Sequence, residues 1–133
     1  MSNHTIKNLR TDVEDSAPKF GMSPAIEAHF ARKDIEAENF GLSYQQVAPN
    51  ERVPFGHKHS EQEEVYVVVA GGGRIKIEDE IHEIGQWDAV RVGKNTMRGF
   101  EAGPDGLELI AFGTPNTENE DADVVPGWWA EDA

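Results

Sequence analysis

The stretch HKHSEQEEVYVVVAG, residues 57–71, decides the reading of this chain. In a β-strand, residues two apart point to the same side, so His57 and His59 present both imidazoles to one point. Ser60, Glu61 and Gln62 supply a polar turn, and Glu64 opens the next strand with its carboxylate beside the two rings. Val65, Tyr66, Val67, Val68, Val69 and Ala70 make that strand apolar on both faces, and Gly71 closes it. A strand buried on both sides does not open with a carboxylate unless something inside satisfies it. Two imidazoles and one carboxylate suit Fe(II), Mn(II), Co(II), Ni(II) or Zn(II), and three protein ligands leave positions open for water or substrate. The spacing therefore predicts one divalent transition metal held by His57, His59 and Glu64.

Outward from this stretch the text is all-β. Short runs rich in Val, Ile, Phe and Tyr recur between Gly, Pro, Asn and Asp. They predict strands near 27–34, 40–48, 52–58, 63–70, 73–78, 81–84, 88–92, 96–102 and 107–113, a spacing that suggests a sandwich or barrel. Gly71 to Gly73, Glu78 to Glu80 and Gly103 to Gly106 read as hairpin turns. Residues 24–38 compete as a helix, since Ile26, Phe30 and Ala31 have helical spacing; strand is preferred for 27–34. Residues 1–25, punctuated by Pro18, Gly21 and Pro24, read as a loosely ordered N-terminal arm. Residues 115–133 read as an acidic linker and a tail whose Val124, Val125, Trp128 and Trp129 are too apolar to stay in water. That tail is expected to dock on the barrel or on a neighbouring subunit.

The segment from Pro54 to Gly71 resembles the first motif of the cupin family, in which HxH is followed by a spacer, a glutamate, six residues and a glycine. With Glu64 as the glutamate, Gly71 falls in register. GQWDAVRVGKNTMRGF, residues 85–100, resembles the second motif, with Gly85, Val90 and Gly93 in place. The resemblance covers roughly residues 40 to 113 and is to small single-domain prokaryotic cupins. It implies a jelly-roll barrel, a double-stranded β-helix, over residues 26–114. It also implies a fourth ligand, a histidine, at the position that Thr96 occupies here. Glu51 stands where the family has a glycine before the first histidine, and Arg91 or Val92 where it has a proline.

Two functions follow. One is a metal-dependent enzyme of oxygenase or isomerase type acting on a small oxygenated or anionic substrate. The other is a non-catalytic small-molecule-binding cupin whose metal site is degenerate or absent, the reading that Thr96 supports. Tyr66 shares a face with Glu64 and could supply a hydroxyl for an acid–base step. Arg98 adjoins the place of the missing ligand and could bind a carboxylate. Tyr44 and Gln46 are expected by alternation to line the same cavity, and Met97 to fill the core. His82 reads as a surface residue, and His4 and His29 receive no role. Trp87, Trp128 and Trp129 suit packing or a dimer interface, and a homodimer is expected.

Composition narrows the partners. With no cysteine, disulfides, thiolate ligands and cysteine nucleophiles are excluded. The polar N-terminus lacks a secretory pattern and no apolar run approaches the ~20 residues of a membrane helix, so a cytoplasmic location is expected. Acidic residues number 25 against 12 basic, a net charge of −13, which disfavours nucleic acid as a partner. The acidity serves solubility, or it marks adaptation to high salt, where screening removes self-repulsion. Salt adaptation predicts a melting midpoint that rises between low and molar KCl; a flat midpoint leaves the solubility reading.

Overall fold

A computed structural model describes residues 3–117 and 119–129 of the chain. Residues 1, 2, 118 and 130–133 of the expected arm and tail lie outside the described residues. Eight strands form one curled antiparallel sheet: β1 Ile26–Phe30, β2 Gly41–Val47, β3 Phe55–His59, β4 Glu63–Ile77, β5 Glu80–Gly85, β6 Ala89–Val92, β7 Arg98–Thr114 and β8 Ala122–Pro126. They run in the order β1-β2-β7-β3-β8, and β4 pairs with β5, β6 and β7. Among the described residues the one helical element is a short 3₁₀ turn, Ala17–Phe20, before β1. Residues 26–30 are strand and Arg32 to Glu36 form turns, so the helical spacing of that segment is not used. No helix among the described residues is long and apolar enough to cross a membrane.

The backbone of the fold is the pairing of β4 with β7. It runs from Glu63 opposite Thr114 to Ile77 opposite Arg98, with register shifts between Val68 and Ala70 and between Gly71 and Gly73. Side chains alternate across each strand. Glu64, Tyr66 and Val68 of β4 point inward with Phe100, Leu107, Leu109 and Ala111 of β7. The apolar ones join Val47, Ile75, Ile84, Val92 and Ala102 in one buried cluster. Val65, Val67 and Val69 point outward and are half-buried. The interior is therefore apolar at one end and carries the charged residues at the other.

Two expected hairpin turns are absent, and one physical reason covers both. Gly71 to Gly73 and Gly103 to Gly106 lie inside long strands that bend past each other. A Cβ on Gly71 would fall 2.1 Å from the Gly106 carbonyl oxygen, and one on Gly73 would fall 2.0 Å from that of Glu101. Gly71 and Gly106 also have φ of +71° and +79°, a region open to glycine at no steric cost. The glycines here permit close backbone approach at a bulge rather than chain reversal. The third expected turn is present at Glu78 and Asp79, with Glu80 already paired to Ile77.

Segments before β1 and after β7 pack on this sheet. Val13 and Ala17 are buried ahead of β1, and Asp15 forms a bridge to His29. The tail supplies β8, antiparallel to β3, with Val124 opposite His57.

Gly73→Ala is expected to destabilise the protein by at least about 2 kcal/mol, because backbone must move to admit the methyl group. Gly85→Ala, where nothing lies within 4 Å of the new Cβ, is expected to stay within about 0.5 kcal/mol of the parent. Urea unfolding of the two variants side by side checks the contrast.

Candidate metal centre

The short connection from β3 to β4 brings the three expected ligands together. β3 ends in His57 and His59 with both rings on one side, and β4 begins one short turn later. The Nε2 atoms of His57 and His59 lie 3.8 Å and 3.7 Å from the same oxygen, Glu64 Oε1. One donor atom from each of the three residues falls within 4.8 Å of the others. The two imidazoles stand edge to face with centroids 5.2 Å apart.

His59 is wholly buried, and its ring is fixed from behind. Its Nδ1 lies 2.9 Å from Asp121 Oδ1. Asp121 also accepts from the backbone N–H groups of Glu61 and Gln62, each at 2.9 Å, and from the Thr117 hydroxyl at 2.6 Å. These bonds hold the Asp121 carboxyl well below its ordinary pKa, against the opposing effect of burial. An ionised Asp121 draws the proton to Nδ1 and leaves the Nε2 lone pair facing Glu64, the tautomer a metal ligand requires. One carboxylate thus ties the tail, the β3–β4 turn and His59 together. Sequence reading missed Asp121, which lies 62 residues from its partner in an acidic stretch that reads as solvated linker.

Glu64 is held from the other side. Arg98 lies opposite His57 in the register of β3 and β7. Its Nη2 donates to Glu64 Oε1 at 2.7 Å, its Nε to the Tyr66 hydroxyl at 3.0 Å and its Nη1 to the Thr96 carbonyl at 3.0 Å. The Tyr66 hydroxyl donates to the same Glu64 oxygen and lies 3.5 Å from His57 Nε2. Burial would raise the Glu64 pKa, but the His57 ring, the Arg98 charge and the Tyr66 hydroxyl outweigh it and hold the group at about 2. Burial lowers the His57 pKa from its ordinary value and raises that of Tyr66 well above 10, the Glu64 charge adding to it. At neutral pH the site is therefore a neutral His57, a carboxylate, a phenol and a guanidinium.

A cavity of about 740 Å³ opens beside this cluster, with His57 and Glu64 in its wall. Phe20, Phe30, Phe55, Leu42, Val124 and Pro126 make much of the remaining lining apolar. Tyr66 and Arg98, 1% and 0% exposed, stand behind Glu64 rather than in the lining.

The other positions that the sequence singles out separate by strand parity. Ser43 and Gln45 line the cavity. Tyr44 and Gln46 do not; they face the outside of the sheet, where Tyr44 donates to Glu108 at 2.5 Å and accepts from Gln46 at 2.6 Å. Thr96 precedes β7, and its hydroxyl turns to the Lys94 carbonyl at 3.3 Å. Met97 is buried as core, and His82 is exposed beside Glu80. His29 is buried with Nδ1 2.7 Å from the Val13 carbonyl. Trp87 is exposed, and Trp129 is buried against Arg52.

No family model and no curated protein matches the sequence. Solved structures do match the fold. A cupin protein from Bacteroides fragilis is 20% identical with a TM-score of 0.71, the match covering 87% of each chain. KdgF from Halomonas sp. is 18% identical with a TM-score of 0.66, covering 87% of this chain and 96% of that one. The polyketide cyclase RemF from Streptomyces resistomycificus is 21% identical with a TM-score of 0.67, covering 84% of this chain and 80% of that one. Likeness at this identity speaks to the fold, and with the curled sheet and the paired motifs in order, the chain has the cupin fold.

Proposed function

We propose that the chain binds one divalent transition metal through His57, His59 and Glu64 and acts on a small oxygenated or anionic molecule admitted by the cavity beside them. The observation that carries this reading is the convergence of three donor atoms, from His57 and Glu64 in the cavity wall and from His59 buried beside them. The donor set fits the group: two nitrogens and one carboxylate oxygen suit Mn, Fe, Co, Ni or Zn, and His59 is oriented from behind by Asp121 as ligating histidines usually are. When bound, the ion would supply Lewis-acid polarisation of a ligand oxygen. The chain's own residues do the rest. The apolar lining around Phe20, Phe30 and Phe55 excludes water and receives the carbon skeleton. The Tyr66 phenol donates to Glu64 from behind and helps to hold that carboxylate ionised and oriented toward the imidazoles. That the polyketide cyclase RemF shares the fold supports a catalytic use of such a barrel by analogy.

One observation favours a second reading, a binding protein that works without metal. Glu64 is already satisfied by Arg98 and Tyr66, so the carboxylate does not need an ion to be tolerated inside the barrel.

Equilibrium dialysis of chelator-stripped protein against Mn(II), Ni(II) or Zn(II) separates the two. The metal reading expects one ion per chain, lost in Glu64→Ala; no binding by the parent under any of these conditions would sink it. Oxygen uptake and product formation with panels of small diols and keto acids then distinguish an enzyme from a binder.

The Glu64 pKa gives an independent check in metal-free protein. A folded value of about 2 against an ordinary 4.5 makes ionised Glu64 stabilising by roughly 3 kcal/mol. The folded value is depressed, so this stability is present above pH 4.5 and is lost as pH falls toward 2. The stability gap between the parent and Glu64→Gln, measured by urea unfolding, is expected to be constant from pH 7 to 5 and to narrow below 4.5.

A further inference from the structure

We infer that Arg98 competes with the metal for the Glu64 carboxylate, and so sets how loosely the chain holds its ion. The inference rests on the metal reading above. A carboxylate oxygen offers two lone pairs. Those of Glu64 Oε1 are taken, one by Arg98 Nη2 at 2.7 Å and one by the Tyr66 hydroxyl. This is also the oxygen nearest the two imidazoles, 3.8 Å from His57 Nε2 and 3.7 Å from His59 Nε2. An ion drawn to that point must displace one of the two donors or share the oxygen with a permanent cation.

Arg98 cannot step aside by losing its proton. It cannot easily swing away either. It is 0% exposed, its Nε is bound to Tyr66 and its Nη1 to the Thr96 carbonyl. Its charge therefore stays beside the site whether or not an ion is present. Arg98, neutral imidazole and ionised Glu64 together carry no net charge, and the arriving ion meets a guanidinium where a fourth ligand would have helped it. The Thr96 hydroxyl, turned to the Lys94 carbonyl, supplies no such ligand. Arg98 is in this sense a built-in cation. It keeps the metal-free barrel folded with Glu64 ionised and makes the metal exchangeable.

The prediction has an unusual sign. Removing a buried ion-pair partner lowers the stability of the metal-free protein, yet here it should tighten metal binding. Isothermal titration of Mn(II) and Ni(II) into chelator-stripped parent and Arg98→Met is the test, with melting curves recorded with and without metal. The variant is expected to bind at least about tenfold more tightly, a size ordinary for coupling between two sites. Its melting point should fall without metal and rise more than the parent's when metal is added. Arg98→Gln removes the charge but keeps an amide about where Nε meets the Tyr66 hydroxyl, and it carries the comparison if Arg98→Met does not fold. A residue that merely shaped the site would loosen it on removal, so equal or weaker binding in the variants, with the parent binding normally, overturns the competition alone. Absence of binding in the parent and both variants overturns the metal reading and this inference together.

Discussion

The carboxylate of Glu64 lies inside a β-barrel, and its neighbours are arranged to make that tolerable. An ionised group out of water is costly unless it is paired and hydrogen-bonded. Three separate segments meet this cost. β3 brings the imidazoles, β4 itself brings Tyr66 two residues on, and β7 brings Arg98 across the register from His57. The Glu64 pKa near 2 expresses the result: attraction from these groups exceeds the penalty of burial. The polar end of the barrel is in effect built around one charge, and the apolar cluster of Val68, Leu107, Leu109 and Ile75 fills the other end.

That arrangement depends on β4 and β7 being long enough to reach both ends. Each passes through a glycine-rich bend without interruption: one end of β7 sets Arg98 opposite His57, and the other end, paired with β4, buries Leu107 and Leu109. Shortening either strand at its glycines would separate the two halves of the interior. This is where sequence reading erred about the fold. Gly71 to Gly73 and Pro104 to Gly106 carry the composition of turns, since turn and bulge draw on the same conformational freedom. What distinguishes them is the carbonyl on the neighbouring strand, and that neighbour is about thirty residues away in sequence.

The site was legible where strand parity alone decides. His57, His59, Glu64 and Tyr66 lie on successive strands joined by a short turn, and counting by two places them together. It was less legible where parity needed an anchor. Tyr44 and Gln46 alternate as expected, but the inward set on β2 is Ser43 and Gln45. Nothing local to β2 fixes which set faces in, because tyrosine and glutamine each suit either side. Arg98 posed the same problem, and the outcome was that β7 starts at Arg98, leaving Thr96 in the link before the strand. Asp121 was illegible for a different reason. Its role is made by contacts with His59, Glu61 and Gln62, and an aspartate among other acidic residues carries no local mark of them.

Asp121 also changes what the tail is. A segment that only covered apolar surface could be replaced by any other of like hydrophobicity. This one carries the group that fixes the tautomer of His59, and it is secured twice beyond that group. β8 pairs with β3 immediately after Asp121. Further on, Arg52 and Arg74 lie 4.4 Å and 5.3 Å from the Trp129 ring and Lys76 lies 4.7 Å from that of Trp128, distances at which cation–π attraction is effective. Gly56 leaves the room for Trp128, since a Cβ there would come within 2.4 Å of the indole. In a chain with 25 acidic residues and 12 basic ones, three cations are placed against two tryptophans and a fourth is buried beside Glu64. The scarce positive charge is concentrated where it holds the tail in place and neutralises the interior. Loosening the tryptophans would therefore act on His59 as well as on stability, since the strand they anchor begins at the residue after Asp121.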